Sequence, residues 1–179
     1  MTNCHIHVFT ADHVPEGFAG IAGPLLRIRP LRRALLPILR RVDPSPRDRI
    51  ERYARMLEIS YNRTQADVFE LARKMYPAGT RFVVLPMDMT HMATGSVRVS
   101  IDRQHEELRV LRDDQPDVIV PFAAVDPRQE RVVDKTIALI EEEGFRGIKL
   151  YPPVGYDPAD RRLEPLYAYA EERQIPVLS

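Results

Sequence analysis

A single cysteine, Cys4, is the only thiol in 179 residues, so no internal disulfide framework is available and the composition fits a reducing cytosol. Charge of one sign is not in excess. The 26 Lys and Arg residues oppose 26 Asp and Glu, which argues against the basic surface of a nucleic-acid protein. No apolar run approaches the roughly 20 residues that cross a bilayer. The opening Met1 to His5 has neither a basic region nor an apolar one, so no secretory signal is expected and the expected location is cytoplasmic. Glycine is scarce, eight residues against sixteen prolines, and many of those prolines stand where elements would begin or end.

Within this frame, five short segments read as parallel strands covered on both faces: Asn3 to Phe9, Arg81 to Met87, Asp117 to Ala124, Arg146 to Tyr151 and Ile175 to Ser179. Phe82 to Leu85 and Val118 to Val120 are near-continuous aliphatic and β-branched runs, the signature of such strands. Between them lie helical stripes: Ile101, His105, Leu108 and Leu111 after a candidate N-cap at Ser100; Val133, Ile137 and Ile140 before a stop at Gly144; and Leu163, Leu166, Tyr167 and Ala170. Their three-to-four spacing turns one face inward. The last four strands start near residues 81, 117, 146 and 175, about the 30-residue step of a βαβ unit, which predicts a parallel sheet with right-handed crossovers.

The first step is much longer and predicts an insertion at about residues 17–76 holding two or three helices. Ser45-Pro46 looks like an N-cap with proline at N1, and Thr64 with Asp67 resembles a capping box. Inside the insertion, Pro24 to Val42 carries Arg27, Arg29, Arg32, Arg33, Arg40 and Arg41 with no acid, interleaved with leucines. Either it packs its leucines as a lid over the strand ends, or it meets an acidic partner or an anionic surface. At the other end, Ile175 to Ser179 is an apolar strand with no helix after it. Five strands are too few for a closed (β/α)₈ barrel, which takes about 250 residues. Periodicity leaves two readings open: the N-terminal part of a longer barrel, or a complete open five-stranded domain.

The local chemical signal is Asn3-Cys4-His5-Ile6-His7 on the first strand. Alternate strand residues point the same way, so the His5 and His7 imidazoles can converge on one ion at about 2.0–2.1 Å, while Ile6 points toward the helices. A satisfied surface pair is the plain alternative.

That opening, through Val8-Phe9-Thr10, resembles the D-x-H-x-H first-strand motif of the amidohydrolase superfamily, specifically its amidohydrolase-related (type 2) metal-dependent hydrolases. The stretch from Gly144-Phe145-Arg146-Gly147-Ile148-Lys149-Leu150-Tyr151-Pro152-Pro153 to Gln174-Ile175-Pro176-Val177-Leu178-Ser179 resembles the fourth and fifth strands of the same proteins. The resemblance implies an α/β fold: a partial (β/α)₈ TIM-type barrel of about five parallel strands over residues 1–179, with the helical insertion after the first. It implies a mono- or binuclear site for a divalent metal, zinc first and manganese as the alternative, with His5 and His7 as ligands. It also implies a small-molecule substrate, hydrolysed at an amide, ester or lactone, or else decarboxylated or hydrated on the same frame. A non-catalytic module acting through the basic insertion is the reading from another class.

Two departures stand out. Asn3 replaces the family's leading Asp and lacks its charge. The family's other ligands and general base follow the fifth, sixth and eighth strands, so this chain is expected to bind metal weakly and to be inactive alone. The oligomeric state stays open, a homo-oligomer included.

The other candidates follow strand ends, where such barrels build their active face. In some relatives a lysine at the place of Lys149 is carboxylated and bridges two metals; unmodified, Lys149 holds a substrate carboxylate or pairs with an acid. Asp88 is a catalytic candidate, or a turn or helix cap. His91 and Tyr151 are candidates for substrate contact. Asp126, before Pro127, is expected to cap the next helix, His105 to pack in the core, His13 to sit in a solvated loop, and Cys4 to be a small buried residue. Tyr156 is a pocket or core aromatic.

Overall fold

A computed structural model describes residues 1–17, 59 and 64–179. Most of the insertion, including Ser45-Pro46 and the arginine-rich Pro24 to Val42 stretch, lies outside the described residues. Strands β1 (Thr2–Ile6), β2 (Arg81–Val84), β3 (Ile119–Pro121), β4 (Ala123–Val125), β5 (Ile148–Leu150) and β6 (Val177–Leu178) alternate with helices α1 (Gln65–Arg73), α2 (Ile101–Asp114), α3 (Val132–Glu141) and α4 (Glu164–Glu172). All strand pairs are parallel, in the orders β1-β2-β3 and β4-β5-β6. The mixed α/β architecture with parallel sheets is therefore as expected.

The strands are shorter than their apolar runs, and the third is divided. Pro121 has no N–H to continue the ladder, and the single residue Phe122 separates β3 from β4. The Phe122 N–H still reaches Val84 O at 3.1 Å, while the Ala123 N–H turns to Gly147 O at 2.8 Å. The two sheets thus meet in one chain path.

Sequence signals at the helix ends are realised in detail. Thr64 and Asp67 make both bonds of a capping box ahead of α1, and Ser100 accepts from the Arg103 N–H ahead of α2. Helix α3 starts later than its proline suggests. Its N-cap is Arg131 in a left-handed conformation, and Asp126 caps a turn instead, accepting from the Arg128 N–H at 2.9 Å.

Two apolar cores lie on the helix side of the strands. Val8, Phe82, Val84, Ile119 and Ala123 meet Phe69, Leu108 and Leu111, with Ile6 packed against them. Val125, Ile148 and Leu150 meet Val132, Leu163, Leu166 and Ala170. Since strand side chains alternate, these contacts fix the phase of β1 to β5. His5 and His7, Leu85, Ala124 and Asp126, and Gly147 and Lys149 fall on the opposite face.

Candidate metal centre

The phase of β1 puts His5 and His7 on the inward face, and their rings converge. The two Nε2 atoms are 3.0 Å apart, with the ring planes at 83°. Two ligands at 2.0–2.1 Å from a tetrahedral ion would stand about 3.3 Å apart, so little movement would admit one. His7 Nδ1 donates to Leu85 O at 2.7 Å, the kind of outer bond that fixes a ligand's tautomer and orientation. It leaves the His7 Nε2 lone pair facing His5. Burial pushes the His7 ring below its ordinary pKa. The Leu85 carbonyl opposes that shift, and the charges of His5 and Lys149 add to it. The neutral form that a metal needs is therefore favoured. Asn3 Oδ1 accepts from the His5 N–H at 3.0 Å, bracing the backbone of the pair.

Among the described residues, no group of three or more His, Cys, Asp or Glu side chains could hold a metal ion. The histidine pair fits as two donors of a set that usually numbers four.

The remaining candidates lie along neighbouring strand mouths. Lys149 is 3 % exposed, and its Nζ stands 5.7 Å from the Tyr151 ring centre. Burial pushes its pKa down. It lines a cleft with Asp88, Ala124, Asp126, Tyr151, Val154 and Tyr156. Asp88 is buried, with one oxygen taking the Thr90 N–H at 3.0 Å and the other Gln129 Nε2 at 2.7 Å. Asp126 is 1 % exposed and grips the Arg128 guanidinium through both oxygens. Burial alone would raise its carboxyl, but the bonds from Arg128 hold it below the ordinary value, and His91 helps. His91 is half-buried on the loop after β2, and Tyr151 is exposed beside Lys149.

Arg128 and Gln129, missed by sequence reasoning, and Tyr156, expected as a pocket or core aromatic, stitch these mouths together. Arg128 reaches Val154 O and Gly155 O, at 3.3 and 3.2 Å. The Tyr156 hydroxyl donates to Val125 O at 2.9 Å and accepts from the Tyr151 N–H at 2.7 Å. With His7 on Leu85 O and Gln129 on Asp88, each adjacent pair of mouths from β1 to β5 carries a tie. The spacing Asp126-x-Arg128 was the available signal, since an acid and an arginine two residues apart can close on themselves at a turn.

Two expectations are corrected. His13 is 1 % exposed rather than solvated, because Thr10 and His13 form a reciprocal cap on one another, with the Thr10 N–H on His13 Nδ1 at 2.8 Å. Cys4 is exposed rather than buried. It shares a face with Ile6 and Val8, but the core reaches only those two. His105 packs in the core as expected.

A family model described as Amidohydrolase matches residues 2–178. No curated protein matches the chain.

Proposed function

From the premise that this chain belongs to the amidohydrolase family, we propose that it is a metal-dependent hydrolase whose ion, zinc or manganese, is held by His5 and His7. One observation carries the proposal: two ring nitrogens 3.0 Å apart, one ring locked by a backbone carbonyl. When bound, such an ion supplies an activated water near neutral pH for attack on an amide, ester or lactone.

The chain's own residues do the rest. With His7 Nδ1 protonated toward Leu85 O, the bond between the two Nε2 atoms uses a proton on His5 Nε2. Loading requires that proton to move to His5 Nδ1 or leave. Lys149, on the same inward face, is the next group in line for substrate. Asp88 has both oxygens engaged by Thr90 and Gln129, which suits holding the cleft wall in place. Tyr151 and His91 stand at the rim, where substrate would touch. Further donors to the ion would come from outside the described residues. The lid role, as a cover over these mouths, is kept only for the part of the 17–76 insertion outside the described residues, since α1 packs Val68 and Phe69 into the helix-side core.

The test is equilibrium dialysis of the full chain against zinc and manganese, beside His5→Ala and His7→Ala. Uptake of one ion per site, lost in both variants, is expected. Equal uptake by all three proteins would overturn the proposal.

A further inference from the structure

We propose that the cleft at the mouths of β2, β4 and β5 seats a carboxylate of the substrate on the Lys149 ammonium. The inference rests on the active-face reading above and narrows it to substrates that carry an acid.

The Lys149 side chain is 3 % exposed and its ammonium has no counter-charge among the described residues. Ile148 and Leu150 pack into the helix-side core, so strand alternation turns Lys149 to the inward face with His5 and His7. Its register partner on β4 is Ala124, too small to cover it. Among the described residues it has no hydrogen-bond or ion-pair partner. The two carboxylates lining the same cleft are both taken: Asp88 by Thr90 and Gln129, Asp126 by Arg128. The Tyr151 ring, 5.7 Å away, offers one π face but no charge. A largely desolvated cation without a partner favours a ligand group of opposite sign. The cleft has about 10 Å³ of water-sized space, room for about one water. It admits one oxygen of an acid and not a bulky group. Lys149 shares the inward face with His5 and His7, so an acid seated there would lie on the same face as the histidine pair.

The experiment titrates acetate and malonate into the full chain at constant ionic strength, with its lysines ¹³C-labelled. The Lys149 signal is identified by its loss in Lys149→Met. A saturable shift of that signal is expected. Binding should weaken about tenfold or more in Lys149→Met and survive in part in Lys149→Arg, which keeps the charge. A Lys149 signal that does not move in the wild type overturns the inference, as does undiminished carboxylate binding by Lys149→Met. A carbamate carbonyl under ¹³C-bicarbonate also overturns it, because the side chain would then be an anion. Zinc uptake is measured on the same samples. Zinc binding that needs His5 and His7, with Lys149 unmoved, sinks the carboxylate seat alone. Carboxylate binding at Lys149 without zinc uptake supports the seat and sinks the metal reading.

Discussion

Replacing His105 should flatten the acid side of the stability profile. His105 sits on the buried face of α2, with its Nε2 accepting the Ala124 N–H at 3.0 Å and its ring edge-on to Phe145. A proton on Nε2 would break that bond and place a charge in the core. Burial accordingly drives the pKa from 6.5 to about 4; the charges of Asp102 and Asp88 oppose the shift, and Lys135 assists it. The unfolded chain takes the proton near 6.5 and the folded chain does not. Stability therefore falls as pH drops below 6.5 and levels off below about 4. At 1.36 kcal/mol per unit, the full loss from this one ring is about 3 kcal/mol. His105→Gln keeps an acceptor for Ala124 but has nothing to titrate. Urea midpoints from pH 7.5 to 4 should show the wild type losing stability faster than the variant, by about 3 kcal/mol at the acid end. His7 and His13 are shifted the same way but are common to both proteins, so they cancel in the difference. Parallel profiles would refute the assignment.

Two other substitutions probe the inward face. Gly147→Ala should destabilise by about 1–3 kcal/mol in urea unfolding, as overpacking does, because a Cβ there would stand on the Phe122 ring. Tyr156→Phe should cost about 1–3 kcal/mol by freeing the buried Val125 carbonyl. In the wild type, burial pushes that phenol up to about 12, above the also raised Tyr167 and Tyr169, so absorbance titration of the variant should show one fewer late-ionising tyrosine.

Much of the layout was legible in the chain. Long apolar runs gave the strands, and three-to-four stripes with polar caps gave the helices, because both follow from local burial and local hydrogen bonding. Strict alternation put His5 and His7 on one side without any knowledge of the partner strand. The direction of Lys149 was not legible, because Ile148, Lys149 and Leu150 are all buried and a strand covered on both faces carries no alternating pattern to set its phase. The division at Phe122 was not legible although Pro121 stands beside it, because which strand Phe122 and Ala123 bond to, Val84 on one side and Gly147 on the other, is settled by residues far apart in sequence. The buried His13 and the Asp126 turn were missed for the opposite reason. Each is settled by a partner two or three residues away that competes with the bland expectation of a loop or a helix cap.

The central claim is that His5 and His7 share one ion. X-ray absorption at the zinc edge of the zinc-loaded full chain addresses it directly. Two imidazole nitrogens at about 2.0–2.1 Å are expected, with that bound-zinc signal lost in His5→Ala and in His7→Ala. A zinc shell without imidazole scattering, or one unchanged by either substitution, would contradict it.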